Sequence, residues 1–176
     1  MKDSELNVYI RDLARDDLED VATMKSHTDS ALIHENHGIF IPPSDLYPSN
    51  LDTYTTLFNA EADGESKLIT AYMRGFYKDH KLKAFIRFHT EATLPSGKVD
   101  DLYVHPDMWK LGVGKALLNN AFKTFKEAGK RVALIDTYAD HAGANAFYQK
   151  LGGKILKPEV IGSEVNTTYY SFNLEA

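Results

Sequence analysis

The stretch Val99-Asp100-Asp101-Leu102-Tyr103-Val104-His105-Pro106-Asp107-Met108-Trp109-Lys110-Leu111-Gly112-Val113-Gly114-Lys115-Ala116-Leu117-Leu118 decides how the rest of the chain is read. Its first residues have strand composition and the next six or seven read as a loop. Val113, Leu117, Ala121 and Phe125 then repeat every fourth residue, as on the buried face of a helix over 111–128 that Gly129 stops. A helix start exposes N–H groups without partners and carries the positive end of the dipole. Gly112 and Gly114 remove side chains that would keep an anion from those donors, and Lys110 and Lys115 add charge. This is chemistry suited to a pyrophosphate. A bland reading stands beside it: the glycines could serve only close packing of helix on strand. Gly112-Val113-Gly114 is followed three residues later by Leu117, so it is not the G-x-G-x-x-G/A dinucleotide fingerprint, and no G-x-x-x-x-G-K-[ST] loop occurs.

Working outward, Leu6–Arg11 alternates apolar and polar residues as a half-buried strand does. Residues 16–26 place Leu18, Val21, Ala22 and Lys25 at helical spacing, with Asp16 and Asp17 in the first turn. From Thr28 to Asn50 the pattern breaks: His34, His37, Pro42-Pro43 and Pro48 interrupt Ile39, Phe40, Ile41 and Leu46, which predicts an irregular, site-lining loop. A short helix over 51–61 follows. Lys67–Tyr77, Lys81–Glu91 and Lys98–Val104 are strand-like runs joined by short polar or Gly/Pro turns, an antiparallel meander. After the long helix, Arg131–Thr137 reads as a strand covered on both faces. A helix over 142–151 ends at Gly152-Gly153, and strands over 154–160 and 167–174 meet through Gly162-Ser163. The order predicts a mixed α/β sheet.

The chain has 176 residues, 43% hydrophobic and 26% charged, which fits one domain spanning 1–176 with a core of ordinary size. There is no cysteine, so disulfides, thiolate nucleophiles and Cys-ligated zinc are excluded. The N-terminal residues hold no signal-peptide-like run, and nothing approaches the ~18 consecutive apolar residues of a membrane span. The expected compartment is the cytoplasm. Net charge is −5, but residues 1–66 carry 14 acidic and 4 basic side chains, against 11 and 16 in the remainder. No dense Lys/Arg stripe indicates nucleic acid. His34-Glu35-x-His37 lacks the spacing of a zinc helix and a third ligand, so no metal is expected. No G-x-S-x-G elbow supports a serine hydrolase.

Leu102-Tyr103-Val104-His105-Pro106-Asp107, Gly112-Val113-Gly114-Lys115-Ala116-Leu117-Leu118 and Ala144-Asn145-Ala146-Phe147-Tyr148-Gln149-Lys150-Leu151-Gly152 together resemble the GNAT superfamily of acyl-CoA-dependent N-acetyltransferases. The first two look like that family's Q/R-x-x-G-x-G/A acetyl-CoA motif, and the last like its closing helix. Trp109 stands where the family usually has Gln or Arg, His141 where an Asn often precedes the closing helix, and Gly153 where a Phe usually follows the Gly.

The resemblance implies a splayed mixed sheet of about seven strands with about four helices. It implies acetyl-CoA as cosubstrate, with the pantetheine between Asp100–Val104 and Ala133–Thr137. The pyrophosphate would lie on backbone N–H groups of Leu111, Gly112, Val113, Gly114 and Lys115, with the Lys110 charge beside them. A backbone donor near Leu102, Tyr103 or Val104 would stabilise the thioester oxyanion as a primary amine attacks directly in a ternary complex. Ala144 and Phe147 would border the cofactor. Tyr148 takes the position of the family's general acid for the departing thiolate; the bland reading packs it against the sheet beside Phe147. At the family's usual Glu base position this chain has Lys98, so the base candidates are Asp101, then Asp100 and His105, with water an equal alternative. Strand alternation would send Asp100 and Asp101 to opposite faces. The acceptor would be a small-molecule or peptide amine entering over residues 28–60, whose acidity favours a cation such as a polyamine, an amino-sugar or a lysine or N-terminal amine. The resemblance also allows a homodimer. The rivals are a non-catalytic acyl-CoA-binding or sensing module on the same fold, and a nucleotide-cofactor enzyme of the doubly wound class.

Overall fold

The long strands carry an apolar row on each side, so both faces of the sheet need a cover. The computed structural model describes residues 8–62, 68–156 and 166–175. Seven strands run in the order β1-β2-β3-β4-β5-β7-β6. They are β1 (Val8–Asp12), β2 (Ile69–Lys78), β3 (Lys81–Glu91), β4 (Ser96–Val104), β5 (Val132–Tyr138), β6 (Lys154–Ile155) and β7 (Thr167–Asn173). Among the described residues only β4 and β5 pair in parallel; the other neighbours are antiparallel. Helices α1 (Leu18–His37) and α2 (Pro43–Ala62) cover one face, and α3 (Val113–Glu127) and α4 (Ala142–Lys150) the other. The mixed α/β architecture expected from the sequence is present. No helix of the described residues is long and apolar enough to cross a membrane.

The loop expected over 28–50 is corrected to two 20-residue helices joined by residues 38–42. Ser26 and Thr28 donate their hydroxyls to the carbonyls of Ala22 and Met24 one turn back, which keeps these polar residues inside α1. The helix ends at Gly38, left-handed at φ 68°, whose N–H donates to His34. Pro43 is the first residue of α2, where its missing N–H costs nothing. Pro48 removes one internal hydrogen bond, yet the helix continues because Leu51, Tyr54, Leu57 and Phe58 bury against the sheet. Other boundaries shift by a few residues. β4 begins at Ser96, α3 at Val113, and the expected starts at Leu6 and Lys67 and the 157–160 strand with its Gly162-Ser163 turn lie outside the described residues.

Two apolar clusters hold the layers. Phe88, Val99, Ile135, Tyr148, Tyr170 and Phe172 pack with Leu117, Leu118 and Phe125 of α3. Leu18, Val21, Met24 and Tyr54 pack on Met73, Tyr77 and Phe85 on the opposite face.

The parallel ladder between β4 and β5 is short, running only from Ser96↔Val132 to Val99↔Ile135. Beyond it, Leu102–Val104 pair only with β3 and Asp136–Tyr138 only with β7. The sheet therefore opens into a V. At the vertex β4 carries a bulge: Arg87 pairs with Asp101 and Phe88 with Val99, which leaves Asp100 as the extra residue.

Candidate active site

One wall of the V leads into the loop before α3. The His105 N–H donates to the Lys83 carbonyl at 2.9 Å, and a single 3-10 turn, Pro106–Met108, buries Met108. Trp109 donates its indole N–H to the Val104 carbonyl at 2.6 Å, fastening the loop to the end of β4. The loop closes through two left-handed residues, Lys110 at φ 63° and Gly112 at φ 84°. A Cβ at Gly112 would meet nothing within 4 Å, so backbone conformation and not crowding selects glycine there. Gly114 differs: a Cβ would sit 3.2 Å from the Phe147 ring, so this glycine lets α4 lie against the start of α3. The packing reading thus fits Gly114, and the left-handed turn accounts for Gly112.

Gly112 caps α3 without a side-chain hydrogen bond, and the first turn has no acidic residue. The N–H groups of Val113, Gly114 and Lys115 have no carbonyl one turn back inside the helix. Acidic side chains are what helix starts ordinarily favour, yet this one carries Lys115. The arrangement is poor for the isolated helix and well suited to an anion. Val113, Leu117 and Leu118 are buried beneath it and fix its aim.

Along the V, Leu102 and Val104 turn to the α3 side and Tyr103 to the α1 side. Tyr148 enters from α4, with ring centroids 5.3 Å from Phe147 and 5.4 Å from Tyr170. It is buried, but its hydroxyl takes no protein hydrogen bond, and no buried side-chain polar atom is left unsatisfied among the described residues. That hydroxyl therefore reaches solvent-accessible space. Burial first, then Asp136, Tyr103 and Tyr170, push its pKa well above the usual phenol value. Ala144 and Phe147 are half-buried at the edge of the same cluster.

The opposite face of the vertex is polar. Arg87 donates to Asp101 at 2.7 Å and lies 3.8 Å from Asp100. The expectation that the two carboxylates face opposite sides is corrected, because the bulge resets the alternation and both meet one guanidinium. His89 Nδ1 is 2.7 Å from Asp100. Lys98 meets Asp136 of β5 at 3.1 Å, and although burial lowers the pKa of Lys98, Asp136 and Asp100 more than offset this and hold it raised. Lys25 bonds Asp29 at 2.6 Å and lies 4.4 Å from the Tyr103 ring centre. Asn50 of α2 donates to Ser26 and Asp29, tying the two helices at this point. Burial, followed by Asp101, raises both Tyr54 and Tyr103.

His105 sits past the vertex, against Asp107 and the His27 ring. His34, Glu35 and His37 are exposed on the last turn of α1, and no group of three His, Asp or Glu residues fit to hold a metal occurs among the described residues. Sequence reading missed Arg87, His89, Asp29 and Asp136. The signal for the first two was present: an otherwise apolar central strand places Arg87 and His89 two residues apart.

Comparison with known proteins agrees with this geometry. The family model described as acetyltransferase (GNAT) matches residues 14–153. An uncharacterised N-acetyltransferase of Methanocaldococcus jannaschii is 33% identical over 55 residues, which are 31% of this chain and only 24% of that protein. Among solved structures, the PaiA N-acetyltransferase of Thermoplasma acidophilum in complex with coenzyme A superposes with a TM-score of 0.75 at 20% identity, covering 96% of this chain and 99% of that one. YncA of Salmonella typhimurium, solved with acetyl-CoA, gives 0.63 at 15% identity over 96% of this chain and 94% of that one. The structural likenesses speak for the fold, and the family match spans most of the chain: this protein belongs to the acetyltransferase (GNAT) family.

Proposed function

We propose that the protein is an acyltransferase that moves an acetyl group from acetyl-CoA to a primary amine by direct attack in a ternary complex. The observation that carries this reading is the uncapped start of α3, opening beside a parallel strand pair that separates after Val99. The N–H groups of Gly112 to Lys115, with the Lys110 and Lys115 charges, would hold the diphosphate. The unpaired edges of β4 at Leu102–Val104 and of β5 would take the pantetheine amides as a strand takes a neighbour. Gly114 and Phe147 would close the cofactor side. When bound, acetyl-CoA supplies the activated acyl carbon; the chain's part is to hold it, to keep water out with the Tyr148–Tyr170 cluster, and to place a proton donor, the Tyr148 hydroxyl, at the sulfur.

The acceptor enters from the α1–α2 face. Asp29, Asp100, Asp101 and Asp136 border that side, against Lys25, Arg87 and Lys98. Among the described residues the fourth carboxylate has no matching fixed cation, which favours a cationic amine. Asp101 serves there as a carboxylate facing the ammonium. Acetyl-CoA incubated with spermidine, glucosamine and lysine- or alanine-headed tripeptides tests this, with thiol release as the readout. Release that depends on the amine and falls to background without protein is expected. Binding of acetyl-CoA with no amine-dependent release would assign the chain to a sensing module instead.

A further inference from the structure

We propose that His89, held by Asp100, is the group that takes the proton from the acceptor ammonium, on the face of the vertex opposite Tyr148. The inference deepens the transferase reading and rests on it. A carboxylate only accepts, so the 2.7 Å contact places a proton on Nδ1 of His89, and in the neutral ring the lone pair is then on Nε2. Nε2 takes no hydrogen bond from the described residues, and the side chain is 29% exposed, open enough for a ligand to reach it.

Position supports the role. On this face of β3 the apolar cover from α1 and α2 reaches Phe85; Arg87 and His89 follow two and four residues on, beyond it. His89 pairs across to Lys98, whose ammonium reaches Asp136, and Asp136 is a charge that Tyr148 feels from the other side. The histidine thus lies beside Lys98 at the end of the parallel ladder, and the tyrosine, on the other face, is within electrostatic reach of Asp136 just past it. Asp101 is less suited to the task because it already accepts from Arg87. His105 lies beyond the end of β4, past the vertex. Among the described residues the charged groups around His89 are Arg87 and Glu91 on β3, Lys98, Asp100 and Asp101 on β4, and Asp136 on β5; its β2 partner is the uncharged Ala71.

The proton balance closes. The ammonium gives its proton to Nε2 of His89, the freed amine forms the new N–C bond, the C–S bond breaks, and the thiolate takes the Tyr148 hydroxyl proton. The nitrogen of the new N–C bond gives up its second proton to solvent as the amide forms, solvent returns one to Tyr148, and His89 releases the proton it took, so the reaction as a whole frees one proton.

His89→Asn tests the assignment, because its amide nitrogen keeps the place of Nδ1 against Asp100 and offers no base. Spermidine, glucosamine and the tripeptides serve as acceptors, kcat/KM is followed against pH, and acetyl-CoA affinity is titrated separately. A general base acts only in its unprotonated form, so wild-type kcat/KM is expected to fall at acid pH. H89N is expected to lose about a hundredfold or more in kcat/KM and to flatten that limb, with acetyl-CoA affinity unchanged. D100N, which keeps the imidazole but not its orientation, is expected to retain the limb at reduced kcat. H89N within about threefold of wild type, on the same acid limb, overturns the assignment while leaving the transferase reading intact. Wild-type protein that binds acetyl-CoA but acetylates none of these amines overturns both.

Discussion

Tyr148 shows how burial and chemistry combine in one side chain. Its ring is fixed between Phe147 and Tyr170, and Tyr170 is itself anchored by donating to Asn145 Oδ1 at 2.7 Å. Burial keeps the phenol protonated through neutral pH, the state a proton donor needs. Y148F keeps the ring and removes only the donor. It is expected to lower kcat by about a hundredfold, within the range for a general acid, with acetyl-CoA affinity unchanged by titration. Unchanged turnover would leave Tyr148 a packing residue alone. The sequence disclosed Tyr148 because a motif surrounds it. It hid the pairing of Asp100 and Asp101 because alternation assumes an unbroken ladder, and one inserted residue reverses it. Arg87 and His89 stand out in the sequence as a polar pair two residues apart, but their carboxylate partners are named only once the neighbouring strand and its bulge are known.

Among the elements, the join of β1, α1 and β2 depends on Asp17. Its carboxylate accepts from Arg11 at 2.7 and 2.8 Å, from the Ala14 N–H at 2.7 Å and from the Tyr77 hydroxyl at 2.9 Å. Arg11, and then the Ala14 and Tyr77 bonds, outweigh desolvation and lower its pKa from 3.8 to about 2. Because the folded value lies below the unfolded one, the stabilisation is complete above pH ~4 and is lost as pH falls through the folded pKa near 2. The shift corresponds to about 2 kcal/mol. D17N is expected to be less stable by about that amount at pH 7, with the gap shrinking toward pH 2, as urea titrations at several pH values would show. A gap that stays constant down to pH 2 would contradict the account. The strands and α3 were legible because each has a periodic apolar face and a marked stop. α1 and α2 were not, since hydroxyls bonded to their own helix and prolines near a helix start look like breakers in a one-dimensional reading.

At the scale of the molecule, the charge asymmetry of the sequence translates only partly into the site. Asp12, Asp16, Glu19, Asp20, Glu35, Asp45 and Asp52 are exposed on the outer surface, and of the described acids before residue 62 only Asp29 borders the acceptor side. Composition counts charges without regard to where the helices point them, so the total overstated the field at the vertex. The V, by contrast, follows from register: a short parallel ladder and one bulge open the sheet between a face under α3 and α4, where we propose the cofactor lies, and a face under α1 and α2, where we propose the acceptor enters. The account rests above all on the backbone donors at the start of α3, and calorimetric titration with truncated cosubstrates tests them most directly. S-acetyl-dephospho-CoA, which keeps the diphosphate, should bind nearly as acetyl-CoA does. S-acetylpantetheine should bind at least ~100-fold more weakly, since two or three charge-assisted hydrogen bonds are worth about 3 kcal/mol or more together. Equal affinity for S-acetylpantetheine and acetyl-CoA would contradict the account.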